Sequence, residues 1–149
     1  MQQFFDEDML PDVELNIDFI HPVLKSSDKN VLAAAIPPDF IESERLRISA
    51  YRRLAEIRSV AMLEDFAAEL RDRYGKLPAE TENLLTLNHL RILAALQDIR
   101  KVSIVDGAVY LHGPGGAIYR KNGKIPRLDY RYSFRLRIRK LLDLLEHLG

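Results

Sequence analysis

Asp65, Glu69 and Asp72 recur at i, i+4 and i+7, a spacing that sets three carboxylates along one face of a helix. Like charges four residues apart cost a helix about 0.2–0.5 kcal/mol, so either a nearby cation offsets the row or a partner uses it. Arg73, four residues after Glu69, stands in the favourable orientation to neutralise its middle. With that pairing the row reads as a solvated face; without it, as a ridge on which a cationic partner can dock. A second candidate is the basic segment from Arg120 to Lys140, where Tyr130, Tyr132 and Phe134 alternate with Arg127, Arg131 and Arg135. Arginines neutralise phosphates and aromatic rings stack on bases, so the segment could bind nucleic acid. The same pattern also suits the wet face of an amphipathic helix.

Other residues offer less. Gly113-Pro114-Gly115-Gly116 lacks the Gly-Lys-Ser/Thr ending of a phosphate loop and joins two predicted strands, so it reads as a turn. His21, His89, His112 and His147 are scattered, with no i, i+4 histidine pair and no acid in ligand register. Ser49, Ser59, Ser103 and Ser133 have no Gly-x-Ser-x-Gly setting, and Ser59 suits a helix cap. The absence of cysteine removes disulfides, thiol nucleophiles and cysteine-bound zinc. Accordingly no catalytic residue, metal site or cofactor is assigned within the chain.

These side chains must be carried by elements the sequence also marks. Val13, Leu15, Ile17 and Phe19 alternate with Glu14, Asn16 and Asp18, predicting a strand that ends at His21-Pro22. A turn-rich stretch from Lys25 to Asn30 precedes the apolar Val31 to Ile36. Ser43 can cap a helix from Glu44 to about Arg58, with Leu46, Ala50, Leu54 and Ile57 inward. Ser59 can cap the next, whose Leu63, Phe66, Ala67, Leu70 and Tyr74 form the opposite stripe to the carboxylates, with Gly75 past its end. Leu77-Pro78 opens a third helix with leucines nearly all round its axis, predicting deep burial. Asp106-Gly107 between Val102–Val105 and Ala108–Leu111 predicts a β-hairpin with a type I′ turn. Two further strands are expected at 117–120 and 124–128, joined by a tight turn at Asn122-Gly123, in an antiparallel meander. Phe134, Ile138, Leu141, Leu142, Leu145 and Leu148 predict a last helix. The expectation is an α+β fold, three to four helices packed on a small, partly antiparallel β-sheet, with a disordered tail or linker stub at 1–11 and one domain at 12–149.

Composition bounds the reading. A chain of 149 residues with 47% apolar residues can bury a working core. No apolar run approaches a membrane span, and the acidic start is unlike a secretory signal, so a cytoplasmic address without membrane contact is expected. The net charge of zero is a sum of opposites: residues 1–44 are acidic but for Lys25 and Lys29, and residues 120–140 basic but for Asp129. The two ends either screen each other in the fold or mark an acidic tail and a nucleic-acid patch.

From Arg47 the chain reads R-I-S-A-Y-R-R-L-A, then L-E-D-F-A-A-E-L-R-D-R-Y-G-K-L-P, then L-L-T-L-N-H-L-R-I-L-A-A-L. This resembles the C-terminal domain of the bacterial transcription-repair coupling factor over about residues 12–105, most specifically at Glu69 to Pro78. The resemblance implies a regulatory module without helicase motifs. Such a module docks on the UvrB-like module of the same protein and masks its recruitment of UvrA. The family's acidic docking positions fall on Glu69 and Asp72; Asp65 extends the row by helical spacing, and Arg73 orients Glu69. It further implies a parent that is an ATP-dependent DNA translocase engaging RNA polymerase, UvrA and DNA, with ATP and magnesium confined to that parent's motor, and an isolated domain that is monomeric.

Overall fold

The computed structural model describes residues 10–148, so the tail expected over 1–11 lies outside the described residues except for Leu10, which is buried, and Pro11. The described chain divides into two compact units, residues 10–18 with 90–148, and residues 19–89. It is α+β, with four α-helices, a three-stranded mixed sheet and a two-stranded sheet. No helix among the described residues is long and apolar enough to cross a membrane.

In the first unit, β1 (Glu14–Ile17) lies parallel to β4 (Lys101–Val105), which pairs antiparallel with β5 (Ala108–His112). Register explains the two faces. Leu15 and Ile17 align with Val102 and Ile104, which align in turn with Leu111 and Val109. Residues aligned across a ladder share a face, so these apolar side chains form one surface, and four of them (Val102, Ile104, Val109, Leu111) are wholly buried. The other face is mainly polar, and the aligned Glu14 and Lys101 form an ion pair of 3.2 Å there.

The β4–β5 turn is the expected one: Asp106 and Gly107 both have positive φ, 49° and 87°. Gly107 is also sterically required, because an added Cβ would stand 2.4 Å from the carbonyl oxygen of Leu128. The strands expected at 117–120 and 124–128 are not formed. Only isolated antiparallel bridges remain, His112 with Ile118 and Ala108 with Arg127. Between those points the chain leaves β5 to make its own tight turn at Asn122-Gly123, closed by hydrogen bonds in both directions between Lys121 and Lys124, and Pro126 brings no N–H to a ladder. The Gly-Pro-Gly-Gly stretch is a short 3-10 segment, Pro114–Gly116, kinked at Gly115, whose φ of 70° is not helical. The last helix, α4 (Phe134–Glu146), is capped by Ser133, whose hydroxyl accepts from the Leu136 N–H. Its buried positions are Arg137, Leu141 and Leu145, four residues apart.

In the second unit, β2 (Ile20–His21) pairs parallel with β3 (Leu32–Ala33), so the alternation read from Val13 to Phe19 is broken by a turn at Asp18-Phe19 into two short strands. Two helices follow, α1 (Glu44–Glu56), capped by Ser43, and α2 (Val60–Tyr74), capped by Ser59, as the sequence leads one to expect. A third helix, α3 (Ala79–Leu96), follows Pro78 and belongs to this unit up to His89. Thr81, Leu84, Leu87, Leu90, Ile92, Leu93, Ala94 and Ala95 along it are buried, bearing out its expected burial, whereas Leu96 at its end is 42% exposed. Near the start of α3, the fully buried Thr81 donates to the Ala35 carbonyl at 3.0 Å, and Asn83 donates to that of Ala33 at 2.9 Å. A wholly buried hydroxyl without such a partner would be costly.

Candidate functional site

α2 positions the carboxylate row. Its buried Leu63, Phe66, Ala67 and Leu70 anchor one stripe, each contributing up to about 1.5–3 kcal/mol for the larger side chains. Asp65 and Asp72 are exposed on the other side, and Glu69 is half-buried between them. The helix stops at Gly75 with φ 92° and ψ −159°, a backbone region that only glycine enters readily.

The partner of Glu69 is not Arg73. Arg53, from the last turn of α1, donates to the Glu69 carboxylate, and its guanidinium also lies over the Phe66 ring, 5.1 Å from the centroid. The i+4 pairing expected from Arg73 is displaced because that guanidinium packs over its sequence neighbour Tyr74, 5.3 Å from the ring centroid. Tyr74 in turn is half-buried and tilted against Phe40 at 5.7 Å, a packing role. Arg53, Glu56, Ile57, Met62, Asp65, Phe66 and Glu69 line a shallow groove of about 380 Å³. Asp65 and Glu69 thus face this groove, while Asp72 is not among its lining residues. Among the described residues, neither Asp65 nor Asp72 has an ion-pair partner.

The basic, aromatic segment is largely engaged with itself. Arg131 grips both oxygens of Asp129, with Nη2 at 2.6 Å, and this side-chain bond together with the Arg131 backbone N–H holds the Asp129 carboxyl down at about 2. Arg127 donates to the Asp106 carbonyl at 3.0 Å, and Arg135 is exposed. Arg137, within the same basic segment, is buried: its guanidinium lies 4.6 Å from the Tyr130 ring centroid and 4.5 Å from that of Phe134, and Nε donates to the Tyr132 carbonyl. Lys140 lies over Tyr132 at 5.3 Å. Each of the three rings therefore already carries a cation of this chain. Tyr130 donates its hydroxyl to Asp18, whose other oxygen accepts the Asp106 N–H at 2.9 Å; desolvation first, then the Asp18 bond, pushes the Tyr130 hydroxyl up to about 12.

One histidine differs from the expectation. His147 does have an acid in helical register: Asp143, four residues earlier, lies 3.3 Å away, and Glu146 joins them in an exposed group of three. Among the described residues it is the only such cluster, and exposed acidic groups of this kind are ordinary at a helix end.

A family model described as the TRCF domain matches residues 31–115, from β3 through β5 to the 3-10 turn. The transcription-repair-coupling factor of Mycobacterium tuberculosis (strain CDC 1551 / Oshkosh) is 36% identical over 102 residues, 66% of this chain and 8% of that protein. That of Escherichia coli (strain K12) is 37% identical over 71 residues, 48% of this chain and 6% of the relative. That of Haemophilus influenzae (strain ATCC 51907 / DSM 11121 / KW20 / Rd) is 42% identical over 60 residues, 40% and 5% respectively. The matched stretches are thus less than a tenth of these relatives' lengths. A crystal structure of the C-terminal domain of transcription-repair coupling factor superposes with a TM-score of 0.65 at 14% identity, covering 92% of this chain and 94% of that one, which shows a shared fold.

Proposed function

This chain belongs to the TRCF domain family, and from that premise we propose that it is the regulatory module of a transcription-repair coupling factor. It docks on the UvrB-like module of the same protein and covers the surface that recruits UvrA. The observation that carries this reading is the outward carboxylate row of α2, in which Glu69 and Asp72 stand at the acidic positions of the E-L-x-D-R segment and Asp65 extends the row into the groove.

The module supplies shape and charge. Arginines of the partner meet these carboxylates in charge-assisted hydrogen bonds, each worth about 1.5–3 kcal/mol where water is excluded. The docked and released states differ by few such contacts, so engagement of RNA polymerase and DNA elsewhere in the parent can shift the population. ATP and magnesium serve the parent's translocase motor in this scheme. The alternative nucleic-acid reading of residues 120–140 is less well supported, because Arg137 and Lys140 already lie over the rings of Tyr130, Tyr132 and Phe134.

The reading is tested by competition. The 149-residue chain is titrated into a complex of the UvrB-like module with UvrA. Release of UvrA in proportion to bound chain is expected; a stable ternary complex would refute the mask.

A further inference from the structure

Arg53 sits where a docking arginine would be expected to sit. A guanidinium is best received by an aromatic face below it and a carboxylate at its edge, since its flat cation stacks while its N–H fork is directed in the plane. Phe66 and Glu69 provide that pair, with Glu56 and Asp65 on the groove walls. Phe66 is only 2% exposed, so a second cation can reach its ring only after the first has left. Two guanidiniums on Glu69 would moreover repel each other. The occupant is held lightly: the Arg53 and Glu69 side chains are 51% and 42% exposed, and exposed ion pairs contribute little.

We propose that docking proceeds by arginine exchange: an arginine of the partner takes the Phe66–Glu69 seat, Arg53 moves out into solvent, and Arg53 is thereby a built-in competitor that keeps docking reversible. This rests on the docking reading above. It assigns the two acidic positions different parts, since Asp72 does not line the groove and receives its arginine without competition. The seat also selects arginine over lysine, whose compact ammonium lacks the flat fork.

The test is calorimetric titration of the full 149-residue chain with the UvrB-like module, alongside Arg53→Gln. Removing the competitor is expected to tighten binding about threefold and at most about fivefold, the range set by exposed ion pairs. Arg52→Gln makes the same charge change on a neighbouring exposed residue that lines a different surface, and is expected to give a smaller gain. In a Glu69→Gln background the Arg53→Gln gain is expected to vanish, whereas it should persist in Asp72→Asn. A loss or no change in Arg53→Gln, a gain matched by Arg52→Gln, or a gain surviving Glu69→Gln would each overturn the exchange. Were the module to bind and Glu69→Arg to disrupt it while Arg53→Gln gave no gain, docking would stand and the exchange would fall.

A second arm needs no partner. Arginine amide is titrated into Arg53→Gln while the Phe66 ring resonances are followed by NMR. Saturable shifts that lysine amide does not reproduce, and that Glu69→Gln removes, are expected. Their absence would overturn the seat; their presence with no module binding would retain the seat and reject the docking reading.

Discussion

The Glu69 carboxylate is held by the Arg53 guanidinium, sixteen positions earlier in the chain and on the neighbouring helix. This contact explains how α2 tolerates carboxylates at i, i+4 and i+7, because the central one is offset from outside the helix. It also divides the row: Glu69 is engaged within the chain, while Asp65 and Asp72 have no ion pair among the described residues.

Two glycines should differ in how badly they tolerate a methyl group. Gly75→Ala is expected to cost about 1–3 kcal/mol through backbone strain alone, as no atom lies within 4 Å of the added Cβ. Gly107→Ala adds a clash with the Leu128 carbonyl at 2.4 Å, against a segment tied to Gly107 by the Leu128 N–H, and should cost more. Urea unfolding midpoints should fall in the order wild type, Gly75→Ala, Gly107→Ala; equal losses would contradict the steric argument.

Tyr130 predicts a specific alkaline limb in stability. Its hydroxyl is raised to about 12 in the folded state from an ordinary value of 10. Below pH 10 both states keep the proton and the Asp18 bond contributes fully. As pH rises from about 10 to about 12 the unfolded state ionises first, binds fewer protons, and stability falls. The difference between wild type and Tyr130→Phe in thermal melts should shrink across that window, and a difference independent of pH would refute the assignment.

Arg131 predicts an acid limb at Asp129. The carboxyl lies near 2, chiefly through the Arg131 side chain. Any stabilisation it brings is present above the ordinary value of 3.8 and lost as pH falls through about 2. In Arg131→Gln the NMR titration midpoint of Asp129 should move up toward 3.8, and an unmoved midpoint would show that the guanidinium is not the cause. The same pairing predicts that labelled duplex or single-stranded DNA binds this chain no more tightly than the non-specific range of about 10⁻⁴–10⁻⁶ M, by anisotropy at physiological salt.

What the sequence could convey was what the chain does locally. The Ser43 and Ser59 caps, the Asp106-Gly107 turn and the α2 stripe all depend on neighbours within a few residues, and each is formed. Pairings between distant segments were not legible: nothing near Leu15 announces a parallel partner at Val102, nor near Glu69 an arginine at 53. The same limit hid Arg137, whose guanidinium is packed against both Tyr130 and Phe134. The strands expected at 117–120 and 124–128 do not form because β-prone residues need a partner edge, and the 121–124 turn leaves only single bridges to β5. Asp143 with His147 and the Ser133 cap rest on spacings of three to four residues and belong with the legible features.

The central claim is that the α2 carboxylates meet arginines of the UvrB-like module. It is tested most directly by measuring the affinity of the 149-residue chain for that module in wild type, Glu69→Arg and Asp72→Arg, after confirming that each variant melts cooperatively. Removing one member of a desolvated charge pair costs about 2–5 kcal/mol, so each reversal is expected to weaken binding by about 30-fold or more. Affinity unchanged in both reversals would contradict it.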